Sequence, residues 1–289
     1  MKQWIQQLER HRFGAGRYSQ AYQDELLSLI FANIGTTNAD PYCVEFGFNA
    51  KELTKGSGAN VANFVLHDGW KCLLMDGENE NPSINLHRHF LTSNNICEAF
   101  RFHRVPAEPE YISIDVDSTD LWLFRSLLTE YRAMVFSVEY NANFPLDRAI
   151  TFPNEPGESW QKDRGYGASL KALQMVAAEQ GYSLLWVVKE LDAFFIRNDL
   201  IEDGSGMLVA PYEKWKNCTE IPCHGPLKDS RRARKFVDYE VFTHSGGDIE
   251  ASQRAAYETC QTYLIDRPIP KSTRRLPTKI WREVKRLVS

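Results

Sequence analysis

Four short stretches gather residues able to do chemistry. They are Glu45-Phe46-Gly47-Phe48-Asn49, Asp76-Gly77, Asp115-Val116-Asp117-Ser118-Thr119-Asp120 and Glu139-Tyr140-Asn141-Ala142-Asn143. A carboxylate accepts hydrogen bonds from neighbouring hydroxyls, takes a proton as a general base, or holds a hard cation. A glycine lets backbone approach a ligand closely. Each stretch also has a plainer reading. Gly47 suits a tight turn, Asp76 opens a turn before Gly77, and Asp117 to Asp120 suit helix capping. Their joint placement decides between the two.

Each stretch closes an apolar run. The pattern predicts strands at 42–46, 70–75, 86–91, 111–116, 133–140, 182–188 and 192–197. Helical spacing appears over 21–34, 60–68, 95–103, from about 120 to 130, and over 168–180. Strand and helix in alternation predict an α/β fold, a parallel sheet with helices on both faces. Runs such as 72–75 and 134–138 are apolar without alternation, as strands buried on both sides are. Only Lys189-Glu190-Leu191 separates the last two strands, which therefore form an antiparallel hairpin. Residues 145–164 contain three prolines and form a long irregular loop. The expected organisation is a helical cap over 1–40, a core domain over 41–200 and an appendage over 201–289. That appendage carries helix over 249–264 and the basic run Arg231-Arg232-Ala233-Arg234-Lys235, read as a solvated face.

Open parallel sheets bind ligands outside the carboxyl ends of their strands. All four stretches fall there, which fits an adenosine ligand. Gly47 would admit the ligand, and Asp76 would accept hydrogen bonds from ribose hydroxyls. A dinucleotide fits less well. Phe48 and Asn49 follow Gly47, so the glycine-rich helix start that a pyrophosphate needs is missing.

Glu45-Phe46-Gly47, then Gly56-Ser57-Gly58-Ala59-Asn60, then Gly69-Trp70 leading to Leu73-Leu74-Met75-Asp76, resembles the FkbM-type methyltransferases. Ser113-Ile114-Asp115-Val116-Asp117, Val138-Glu139-Tyr140-Asn141, Tyr166-Gly167-Ala168-Ser169-Leu170 and Asp192-Ala193-Phe194-Phe195-Ile196-Arg197 continue the likeness, which spans residues 18–200. Asn49 departs from the Asp-Gly pair common in the family, and Ser118 replaces a frequent glycine. The resemblance implies a Rossmann-like class I sheet, mostly parallel, whose final strand inserts antiparallel. It implies S-adenosylmethionine as cofactor. Glu45 and Gly47 would lie on its methionine side, Asp76 on the ribose, and Thr92 and Ser93 near adenine, with Asp115 also among the cofactor-binding residues. Ser57 and Asn60 would help close the site.

A hydroxyl acceptor must lose its proton. Asp115, Asp117, Glu139 and Asn141 offer the oxygen ligands Mg²⁺ prefers, and a bound ion would lower the acceptor's pKa. Asp117 or Glu139 could instead act as the catalytic base, as could His67, His87, His89 or His103. Trp160, Arg164 and Tyr166 could clamp a sugar or other polar acceptor. Two other functions share these residues. Asp115-Val116-Asp117 matches the D-x-D pattern of metal-dependent, nucleotide-sugar-binding glycosyltransferases, and a non-catalytic scaffold would keep the fold alone. Cys218, Cys223-His224 and Cys260 form a loose zinc pattern.

The bulk numbers set limits. The 289 residues are 43% hydrophobic, enough for a substantial core. A net charge of −4 gives no global basic surface for nucleic acid. The start of the chain does not read as a signal peptide, and no window approaches a membrane span, so a cytoplasmic enzyme acting on a small-molecule or glycan acceptor is expected. No pattern specifies an oligomeric state.

Overall fold

The strands are apolar toward both faces, so each face needs a covering layer. The computed structural model describes residues 3–56, 58–201 and 212–269. Helices α1 (Gln3–Arg10) and α2 (Gln23–Ile34) precede β1 (Tyr42–Phe46). Then come α3 (Ala62–His67), β2 (Lys71–Asp76), β3 (Leu86–Arg88), α4 (Ile96–Phe102) and β4 (Tyr111–Ile114). They are followed by α5 (Asp120–Leu127), β5 (Val135–Glu139), the two-residue β6 (Ile150–Thr151) and α6 (Leu170–Glu179). The hairpin is β7 (Tyr182–Val187) with β8 (Asp192–Arg197), and the chain goes on through β9 (Val237–Asp238), α7 (Tyr239–His244) and α8 (Ile249–Cys260).

Seven strands form one sheet in the order β3-β2-β1-β4-β5-β8-β7. The first five pair in parallel, and β8 runs antiparallel between β5 and β7. This is the Rossmann-like arrangement with an antiparallel terminal hairpin. Alternate residues feed opposite layers. In β1, Val44 and Phe46 join the cluster under α4, α5 and α6, while Cys43 joins the cluster under α2 and α3. The order reverses at β1 and β4, which opens a crevice at their carboxyl ends.

Three expectations change. The strand expected over 86–91 stops at Arg88, and the last rung of its ladder is the His89 N–H donating to the Asp76 carbonyl at 2.8 Å. The loop over 145–164 contains β6, which pairs antiparallel with β9. The basic run is a solvated face only in part, since Arg231 and Arg234 are exposed but Arg232 is 4% exposed. A third apolar cluster joins Phe144, Ile150 and Phe152 to Phe236, Ala256 and Leu264. Cys260 is buried in that cluster, so no zinc group forms there. Among the described residues the one group with metal-holding geometry is acidic. No described helix is long and apolar enough to cross a membrane.

Candidate active site

Two cavities open at the carboxyl edge of the sheet and share Gly47, Asn49, Asp115 and Asp117. The smaller, about 230 Å³, is lined by Met75, Asp76, Leu91, Thr92 and Val116. The larger, about 720 Å³, is lined by Glu45, Asn60, Glu139, Tyr166, Asp192 and His224.

Gly47 makes the junction. Its φ is 80°, and a Cβ there would lie 1.3 Å from the Asp115 carbonyl oxygen. Its N–H donates to the Met75 carbonyl at 3.1 Å. The ends of β1, β2 and β4 therefore meet at a crossing that admits only glycine. Glu45 points to the other face. Its two oxygens accept the Asn60 and Val61 N–H groups, each at 3.0 Å, and so hold the entry to α3. Burial nevertheless pushes this carboxyl up to about 7, outweighing both bonds. Beneath the larger cavity, Asn60 Nδ2 donates to Ser113 Oγ at 3.2 Å. Ser137 Oγ donates to the same atom at 3.1 Å and lies 2.5 Å from Tyr111 Oη.

Asp76 closes β2 with a side-chain turn. Its Oδ1 accepts the Glu78 N–H at 2.8 Å, the Asn79 N–H at 2.6 Å and Asn79 Nδ2 at 2.9 Å. All three bonds fall on one oxygen, which leaves Oδ2 outside the turn.

Asp115, Asp117 and Glu139 bring carboxylate oxygens within 4.8 Å of one another. Asp115 opens onto the cleft yet is enclosed by protein on its other sides. That burial, followed by the charges of Asp117 and Asp120, holds its carboxyl well above the usual range. Glu139 is raised well above its usual range too, by burial and then by Asp115. Its Oε2 is buried without a hydrogen-bond partner. Burial also raises Asp117, whose backbone sits at φ 57°. Asp120, at the start of α5, accepts the Val116 N–H at 2.7 Å and the Ser118 N–H at 2.9 Å, yet burial pushes it up to about 7. None of these carboxylates forms an ion pair among the described residues.

Several expected residues stand elsewhere. Asn141 does not join the acidic group, because its amide is spent. Nδ2 donates to the Arg164 and Tyr166 carbonyls, each at 2.9 Å, and Oδ1 accepts from Asn143 N and Nδ2. Ser93 does not line the smaller cavity as Thr92 does; its hydroxyl donates to Asn154 Oδ1 at 2.9 Å. Arg164 is fully buried and donates to the Arg267 carbonyl at 2.6 Å, so it clamps no ligand. Ser57 lies outside the described residues. Of the four histidines proposed as bases, only His89 lines either of these two cavities, the smaller one. His89 Nε2 lies 2.8 Å from His103 Nε2, the His87 ring packs at a tilt against His103 at 4.2 Å, and His67 bonds Tyr18 Oη at 2.8 Å.

Other residues of the larger cavity were not assigned to this site from the sequence. The β7–β8 turn brings Lys189, Glu190 and Asp192. Because β7 runs parallel to β5, that turn must fall at the carboxyl edge, so the hairpin itself carried the signal. Gln23 of α2 donates Nε2 to Asp192 Oδ2 at 2.9 Å. Cys223 and His224 arrive from the C-terminal region. Asp117, Glu190 and His224 all have positive φ, a strained backbone that concentrates at this cavity.

No protein-family model matches the chain. No curated protein matches it either. Among solved structures it is similar to the MycE methyltransferase from the mycinamycin biosynthetic pathway, solved in complex with Mg, SAH and mycinamycin VI. The identity is 14% and the TM-score 0.41, over 72% of this chain and 58% of that one. The chain thus spans less than two thirds of that protein's length.

Proposed function

We propose that the chain is an S-adenosylmethionine-dependent methyltransferase of the FkbM type. It acts in the cytoplasm on a hydroxyl of a small-molecule or glycan acceptor, a sugar, glycolipid or natural product. Residues 41–200 form the catalytic domain, with 1–40 as a helical cap and 201–289 as an appendage. The observation that carries this reading is the pair of cavities joined at Gly47, with Asp76 on one side and the acidic group on the other.

The smaller cavity would take adenosine, with Asp76 Oδ2 free to accept from the ribose hydroxyls and Thr92 on the adenine side. Glu45, Gly47, Asn60 and Asp115 flank the methionine part. When bound, the cofactor supplies an electrophilic methyl group on a sulfonium. The chain's residues align the acceptor in the larger cavity for in-line displacement at the junction. Asp117 or Glu139 receives the hydroxyl proton, and raised carboxyl pKa values suit a general base.

Asp115, Asp117 and Glu139 also fit a Mg²⁺ ion. Three hard oxygen donors converge, and the unpartnered Glu139 Oε2 supplies a ligand atom with no competing bond. These three would hold the ion, without Asn141, and it would lower the pKa of the acceptor hydroxyl.

Calorimetric titration with S-adenosylhomocysteine, with and without Mg²⁺, tests the reading. Binding should be lost in Asp76→Ala. Asp76→Asn keeps the turn at Oδ1 and should weaken binding about tenfold through the ribose alone. Folded protein that ignores S-adenosylhomocysteine but binds a uridine or guanosine diphosphate sugar would be a glycosyltransferase instead.

A further inference from the structure

The loop between β6 and α6 spans both cavities. Asn154, Pro156 and Glu158 line the smaller one, and Trp160 and Tyr166 line the larger. Side chains of the C-terminal region hold this loop. Arg232 Nη1 donates to both oxygens of Asp163, at 3.0 and 3.2 Å, and Asp163 is 1% exposed. Arg232 Nη2 reaches the Ser159 and Gly165 carbonyls, each at 3.3 Å. Lys235 bonds Glu155 at 3.0 Å and also bonds Glu158. The rest of the basic run turns elsewhere, Arg231 to Asp229 and Arg234 over the Tyr257 ring.

A second set of bonds fixes the segment facing that loop. The Ile221 N–H donates to the Ala142 carbonyl, and the Cys223 N–H donates to Asn143 Oδ1, each at 2.9 Å. The Arg164 N–H donates to the Gly225 carbonyl at 2.9 Å. The two pieces meet where the His224 ring packs edge-on against Trp160 at 4.9 Å and Tyr166 at 5.5 Å.

We propose that Arg232 is a positioning residue for the larger cavity. Through Asp163 it fixes the loop so that Trp160 and Tyr166 meet Cys223 and His224 and close the outer wall. The wall's role in choosing the acceptor rests on the methyltransferase reading; the staple itself does not. A guanidinium fork is required, because one group must serve a carboxylate and two carbonyls together. A lysine ammonium cannot span that set.

Cys223, half-buried in the wall, reports on it. The full-length protein is labelled with N-ethylmaleimide at pH 8, and rates at each cysteine are read by peptide mass spectrometry. Cys97 of α4 is the internal reference. Arg232→Met should raise Cys223 labelling about tenfold with Cys97 unchanged. Arg232→Lys keeps the buried charge and should give a rise of about threefold. An unchanged Cys223 rate in either folded variant overturns the proposal, as does an equal rise at Cys97. Should Arg232→Met fail to fold, Arg232→Lys decides alone. No cofactor is needed, so failure of S-adenosylhomocysteine to bind would break the methyltransferase reading and leave this result standing.

Discussion

Glu110 and Asp115 flank the same strand, β4, at opposite edges of the sheet, and the chain treats their carboxylates in opposite ways. At the amino edge, Glu110 is fully buried and accepts the N–H groups of Thr37 at 3.1 Å, Asn38 at 2.8 Å and Tyr42 at 2.7 Å. Asn38 Nδ2 adds bonds to both of its oxygens. The chain wraps this charge in its own dipoles. At the carboxyl edge, Asp115 faces Asp117 and Glu139 across an open cleft, and Glu139 Oε2 has no partner. Burial without partners stores an electrostatic cost that a ligand can relieve. What sets Asp115 and Glu139 apart from Glu110 is therefore the lack of such enclosing donors rather than the number of acids.

The largest expected effect is at the amino edge. Glu110→Ala strands three backbone donors at once and should cost about 3 kcal/mol of stability in urea unfolding. The affinity of the folded fraction for S-adenosylhomocysteine should stay unchanged. A loss of affinity as large as that in Asp76→Ala would mean that the two edges are not separate in function.

The carboxyl edge should behave oppositely, and pH reveals it. Glu45 and Asp120 are each pushed up to about 7, and Asp115, Asp117, Glu139 and Asp192 are raised as well, all mainly by burial. The native state thus holds protons that the unfolded chain releases near its ordinary carboxylate pKa of about 4. For Glu45 and Asp120 that stabilising contribution is full below that pH and is lost as pH rises through about 7, and the other four lose theirs as pH rises through their own raised values. The melting temperature should fall between pH 5 and pH 8, the reverse of a protein rich in salt-bridged acids. Glu139→Gln removes one of the raised carboxyls, so its stability should decline less with rising pH than that of the wild type. Mg²⁺ should raise the wild-type melting temperature at pH 8 and do little for Glu139→Gln. A melting temperature that climbs over this range in calorimetry would remove the stored cost, and with it the contrast between the edges.

The sheet, and which strand-end residues meet at the two cavities, could be read in advance because strand ends are local signals. Glu45, Gly47, Asp76, Asp115, Asp117 and Glu139 each follow an apolar run, and parallel pairing brings such ends together. Asn141 failed because β5 ends at Glu139. Two residues on, the chain has turned inward and the amide serves the Arg164 and Tyr166 carbonyls. Arg164 failed for a related reason, since no loop periodicity says which way a side chain turns. Cys223 and His224 reach the site through bonds between 142–143 and 221–223. Contacts so far apart in sequence leave no pattern in either segment. Glu110 gave no sign of its architectural role, because its partners lie in the 37–42 segment.

The smallest effect comes from the carboxyl edge itself, at a residue that behaves like one of the amino edge. Ser93 follows β3, one position after the cavity-lining Thr92, but its hydroxyl is spent on Asn154 Oδ1. That bond is made near solvent, where a lost hydrogen bond is largely replaced by water, so Ser93→Ala should change stability by less than about 0.5 kcal/mol. Affinity for S-adenosylhomocysteine should move less than about twofold, since the hydroxyl does not line the smaller cavity. The effect that remains would pass through Asn154, which does line it. A tenfold loss of affinity in the same calorimetric titration would mean that the Ser93–Asn154 bond shapes the adenosine pocket, and that a residue with its partner inside the chain can still belong to the site.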